Sequence, residues 1–108
     1  MSVTMRIVQE FDPSHEREFM ALERQFAELE RRRPDYPKGR RLQPISGALP
    51  SHTLIWECEF PDLESARAAL RLFEGDADHE ALAAKQSPYF RNVRVEFYEK
   101  LELRSDDH

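Results

Sequence analysis

The run His52-Thr53-Leu54-Ile55-Trp56-Glu57-Cys58-Glu59-Phe60 decides how the rest of the chain is read. It alternates with the period of a β-strand: Leu54, Trp56, Cys58 and Phe60 point one way, Thr53, Ile55, Glu57 and Glu59 the other. An apolar face opposite an acidic one belongs to a sheet covered on one side only. The cover follows at once. Asp62 is placed to cap a helix with Glu64 in its first turn, and Leu63, Ala66, Ala69, Leu70 and Phe73 form its buried stripe. The two alanines imply a close approach to the sheet, and Gly75 suits a left-handed helix terminus.

Further along, residues 76–86 read as a short helix anchored by Leu82 and broken at Ser87-Pro88. Residues 92–103 read as the last strand, with Val93, Val95, Phe97 and Leu101 opposite Arg94, Glu96, Tyr98 and Lys100. Upstream, Ser46-Gly47-Ala48-Leu49-Pro50 is a turn region. It joins the opening run to a short strand over residues 40–45, which Pro44 confines to an edge or a bulge. Residues 35–39 are a loop. Asp12 and Pro13 read as N-cap and first residue of another helix, with Phe19, Leu22, Phe26 and Leu29 as its stripe and Arg31-Arg32-Arg33-Pro34 as its end. Residues 3–11 form the first strand, Met5, Ile7, Gln9 and Phe11 opposing Thr4, Arg6, Val8 and Glu10.

The chain has 108 residues, room for one domain over 1–104 with a frayed tail at 105–108. A net charge of −5 argues against phosphate-backbone contact, so no nucleic-acid partner is expected. Cys58 is the single cysteine, which excludes an internal disulfide and fits a reducing, cytoplasmic location. No apolar run approaches the roughly 20 residues of a membrane span, and the N-terminus lacks a signal-peptide core.

Strand, helix, strand, strand, helix, short helix, strand is an α+β order: ferredoxin-like βαββαβ, with an extra short helix before the last strand and a four-stranded antiparallel sheet. Two helices cover one face. The other would carry Arg6, Val8, Glu10, Ile55, Glu57, Glu59, Arg94, Glu96 and Tyr98, too polar for a second core. Such a face is either solvated or meets another copy of itself, and so small a core favours the homodimer.

The run Thr53 to Arg67, preceded by Arg41-Leu42-Gln43-Pro44-Ile45-Ser46-Gly47, resembles the dimeric α+β-barrel superfamily and is most similar to NIPSNAP-like proteins. Asp76-Ala77-Asp78-His79-Glu80-Ala81-Leu82 and Val93-Arg94-Val95-Glu96-Phe97-Tyr98-Glu99 carry the same resemblance. It implies two sheets facing each other to enclose a barrel between subunits. NIPSNAP-like relatives have no agreed activity, while distant members of the superfamily include antibiotic-biosynthesis monooxygenases, polyketide cyclases, muconolactone isomerases and haem-degrading enzymes. That spread shows why chemistry must be read from residues rather than fold.

Two functions remain open, and with them whether the protein is an enzyme. The first is a homodimer of NIPSNAP-like type that binds a small organic ligand beside the sheet, or merely assembles. The second is a cofactor-independent monooxygenase, isomerase or cyclase. In that case His52, Glu57, Glu96 and Tyr98 are the catalytic candidates, and Arg6, Glu59 and Arg94 the ligand-binding ones. Clustered carboxylates in a dry space can act as acid or base. The competing account is a Glu–Arg network that fixes dimer register. His52 and His79 are the histidines to follow, but no two histidines lie at metal-ligand spacing, so no metal or cofactor is expected, with haem ligation left open. Trp56 and Cys58 are expected in the core. Arg31, Arg32, Arg33, Lys38, Arg40 and Arg41 form the one basic cluster, expected to be a helix end and a solvated loop.

Overall fold

A computed structural model describes residues 2–103; the tail expected at 105–108 lies outside the described residues. The strands are β1 (Val3–Phe11), β2 (Arg40–Leu42), β3 (Thr53–Phe60) and β4 (Phe90–Glu99). The helices are α1 (Glu16–Arg32), α2 (Leu63–Gly75) and α3 (Ala77–Gln86). The strands form one antiparallel sheet in the order β2-β3-β1-β4. This is the ferredoxin-like α+β arrangement read from the sequence.

Alternation places the core as expected. Val3, Met5, Trp56, Cys58 and Phe60 pack beneath Leu29, Ala66, Ala69 and Phe73, while Phe11, Phe19 and Leu54 make a smaller cluster at the other end of the sheet. Leu82 of α3 packs against the larger cluster.

Several boundaries differ. Asp12 caps a single 3-10 turn, Pro13–His15, before α1 begins. The short strand β2 ends at Leu42, and β4 starts at Phe90 and stops at Glu99, leaving Leu101 beyond it. Gly75 is not left-handed; Gly47 is the only described residue with positive φ. The α2–α3 junction is made instead by Asp76, whose extended backbone ends α2 and whose carboxylate accepts from the amides of Asp78 and His79. A polar side chain thus replaces the glycine terminus by capping the next helix.

The basic cluster is not simply solvated. Arg33 pairs with Asp76 at 2.6 Å and with Asp35 at 2.9 Å, and lies 4.9 Å above the Tyr36 ring. Lys38 donates to the carbonyls of Glu30 and Arg33, serving groups left without partners at the end of α1. Gly39 lies so close to the Trp56 indole that a Cβ there would overlap the ring.

Candidate functional site

A cavity of about 240 Å³ opens between the sheet and the three helices. Its apolar walls come from Ile7, Phe26, Trp56, Leu70 and Phe73, with Phe90 and Val93 of β4 also on its lining. The small Ala83 of α3 leaves space on the helix side. The aromatic wall is ordered. His79 stacks on Phe73 with ring centroids 5.0 Å apart and planes 6° from parallel, and Phe26 lies 5.0 Å from the same imidazole. Trp56 meets Phe73 edge-on.

One wall is polar and locked. Glu23 and Glu30 lie seven residues apart on α1, two turns along one face, and both are buried. Arg41 enters from β2 and bridges them, with Nε 2.7 Å from Glu23 and Nη1 2.9 Å from Glu30. Gln86 of α3 donates to the other Glu23 oxygen at 3.1 Å, and the Gly39 amide donates to Glu30. Burial works against the Arg41 charge, but the two carboxylates overcome it and raise its pKa. Both carboxylates are therefore committed as acceptors, and neither is free to serve as a base.

His79 and Tyr36 are less fully engaged. The His79 Nδ1 and the Tyr36 hydroxyl are enclosed without a hydrogen-bond partner among the described residues. Burial pushes the His79 pKa below its ordinary value, against the pull of Glu80, Asp76 and Glu23. Burial, then the neighbouring Asp76, raises that of Tyr36. His79 thus sets an imidazole held toward its neutral form on the wall of an apolar chamber, where it can accept or donate a proton.

None of the seven candidates chosen from the sequence lines this cavity. Most of them gather on the opposite, open face. Arg6 Nε lies 2.7 Å from Glu57, whose other oxygen accepts from Arg40 Nε at 2.6 Å. Arg6 also sits 5.0 Å over the Tyr98 ring, and Glu96 accepts from Arg94 and from the Tyr98 hydroxyl, each at 2.8 Å. Burial raises the Glu57 pKa, but Arg40 and then Arg6 outweigh it and hold the carboxyl below its usual range. Arg94, followed by Tyr98, does the same for Glu96. His52 stands apart at the end of the sheet, 3.8 Å from Glu10 and edge-on to Phe11. Glu59 is exposed, opposite Thr4 in the register.

Sequence reasoning marked His79 but missed Tyr36, Glu23, Glu30, Arg41 and Gln86 as cavity residues. The signal for the two glutamates was present. Counting from Phe19, positions 23, 26 and 30 share the helical face of the apolar stripe. Among the described residues, no cluster of three or more His, Cys, Asp or Glu is placed to hold a metal ion, and no helix is long and apolar enough to cross a membrane.

No protein-family model matches the sequence, and no curated protein is similar to it at a significant level. Solved structures are similar in fold. An uncharacterised NIPSNAP domain protein from Burkholderia xenovorans superposes with a TM-score of 0.75 at 18% identity, covering 98% of this chain and 100% of its own. A NIPSNAP family protein from Agrobacterium tumefaciens gives 0.73 at 11% identity, covering 99% and 89%. An antibiotic biosynthesis monooxygenase gives 0.72 at 16% identity, covering 93% and 99%. The chain therefore has the ferredoxin-like α+β fold shared by NIPSNAP-domain proteins and antibiotic biosynthesis monooxygenases.

Proposed function

We propose that the protein is a cytoplasmic homodimer that takes a small, mostly apolar organic molecule into the chamber between its sheet and its helices. The observation that carries this reading is the cavity of about 240 Å³, walled by Trp56, Phe26 and Phe73 and bordered by a polar wall that is already internally paired. Mostly apolar walls with a few placed polar groups are what small-molecule sites require. The locked wall carries two carboxylates on one guanidinium, so it disfavours an anionic guest. The NIPSNAP-like fold supports the same reading without naming a ligand.

The open face suits the second copy. The central charges Arg6, Glu57, Arg94 and Glu96 are paired within the protomer, so two such faces can meet over them without stranding a bare charge. On this reading Arg6, Glu57, Arg94, Glu96 and Tyr98 fix register, with Glu59 and His52 nearer the margin. The competing enzymatic reading, a cofactor-independent monooxygenase, isomerase or cyclase, draws its support from His79, a neutral imidazole on the chamber wall.

The test is native mass spectrometry of the purified protein beside an Ala83→Trp variant, which fills the chamber from α3. A small organic mass carried by the dimer and lost from the variant is expected. Retention of that mass by the filled variant would move the site elsewhere. Turnover of the recovered molecule by the native protein, lost in His79→Phe, would favour the enzyme.

A further inference from the structure

The polar atoms of the chamber divide into those already spent and those left over. Glu23 and Glu30 accept on all four carboxylate oxygens, from Arg41, Gln86 and the Gly39 amide. Gln9 is held less completely. It lines the chamber from β1 and is only 8% exposed. Its Nε2 reaches the carbonyl of Ile7, two residues back on the same strand, at 3.4 Å. That contact orients the amide, because an oxygen in the same place would oppose an oxygen. The Gln9 Oε1 accepts from no described residue and is not sealed off by protein, so it calls for a donor from whatever fills the chamber.

His79 adds a second acceptor. Its enclosed Nδ1 lies 3.9 Å from the Glu80 carboxylate, and the proton of the neutral ring is assigned to that nitrogen, toward the negative charge. Nε2 is then left with a lone pair. Charge points the same way. The lining carries four carboxylates, Glu23, Glu30, Glu74 and Glu80, against one guanidinium, and the first two already occupy Arg41. Glu74 near the end of α2 and Glu80 in the first turn of α3 are exposed at the border of the chamber. Neither forms an ion pair with an arginine or lysine among the described residues. Aromatic rings supply the remaining walls, and their faces attract cations.

We propose that the guest of this chamber is a small arylalkyl amine in its ammonium form, with its ring against Trp56 and Phe26, its N–H groups donated to Gln9 and His79, and its charge offset by Glu74 and Glu80. A chamber of about 240 Å³ is smaller than drug-sized sites, which sets the body at one or two rings. Because the unpaired glutamates are exposed, the ammonium keeps part of its hydration and escapes the full cost of burying a charge. The inference rests on the chamber being the ligand site, as proposed above, and adds the chemical class of the ligand.

The test is calorimetric titration of the full-length protein with three probes of similar shape: 2-phenylethylamine, 2-phenylethanol and 3-phenylpropanoate. The amine is expected to bind about tenfold more tightly than the alcohol, with the carboxylate weakest. In the double variant Glu74→Gln, Glu80→Gln, that advantage is expected to shrink to about threefold or less. An advantage that the double substitution leaves undiminished overturns the role of the two glutamates. Equal affinities for amine and alcohol, both lost in Ala83→Trp, overturn the amine and leave the chamber standing as a site for neutral molecules. Amine binding that persists in Ala83→Trp lies outside the chamber and overturns the underlying reading as well. Failure of all three probes to bind overturns the amine, while the co-purifying mass in the test above decides the chamber separately.

Discussion

Arg6 and Glu57 face each other across the β1–β3 register, Nε to Oε1 at 2.7 Å, and Arg40 approaches the same carboxylate from β2. Glu57 is thereby almost completely buried on a face that the helices do not cover, its side chain only 6% exposed. A half-exposed guanidinium, Arg6, and a largely exposed one, Arg40, shield one carboxylate, so the group is both ionised and enclosed.

Glu57→Gln is expected to cost about 1 kcal/mol, because the amide keeps the shape but gives up two charge-assisted bonds, while the exposure of both arginines limits their worth. Urea denaturation at low and high salt checks this. The midpoint should fall at unchanged slope, and the deficit should shrink as salt screens the arginines. An equal deficit at both salt concentrations would show that packing, not charge, is lost.

Arg41→Ala is expected to be far more damaging, about 3 kcal/mol or more, since it strands two buried carboxylates that share one cation. The contrast with Glu57→Gln is the useful measurement. Similar losses from both substitutions would mean that the Glu23–Arg41–Glu30 bridge is no drier than the open face.

Gly39→Ala should destabilise by about 1–3 kcal/mol through overpacking, because the added Cβ overlaps the Trp56 indole and the ring or the loop must shift. Fluorescence of the lone tryptophan reports the shift directly. A variant with native stability and an unmoved emission maximum would show that the loop yields freely.

Stability should fall on mild acidification through His79. Its folded pKa is depressed, so the unfolded chain takes up the proton first, and stability declines as pH drops through the ordinary value of 6.5 toward the lower folded one. Above 6.5 both states are neutral and the contribution is complete. Glu80, Asp76 and Glu23 oppose the shift and narrow the window without reversing it. His79→Phe keeps the stack on Phe73, removes the unpartnered Nδ1, and should flatten this slope while raising stability near neutrality by about 1 kcal/mol. A slope that persists in the variant assigns the acid sensitivity to another group.

The alternation in 53–60 and 3–11 and the stripes of α1 and α2 were enough to set the element order, the covered face and the buried places of Trp56 and Cys58, because side-chain period follows backbone geometry alone. The open-face row was legible for the same reason: with the strands aligned, Arg6, Glu57 and Glu96 could only share a side. Other features depended on contacts distant in the chain. Gly75 looked like a helix terminus until Asp76 was seen capping the next helix. Arg41 looked like one more solvated base until β2 carried it over Glu23 and Glu30, 18 and 11 positions away. The cavity itself appears in no local pattern, since Tyr36, His79, Gln86 and Trp56 are gathered from separate stretches of the chain. Periodicity along one segment determined which way each side chain points. Only the packing of segments against each other decided what it meets there, because a void is a property of the distances between elements.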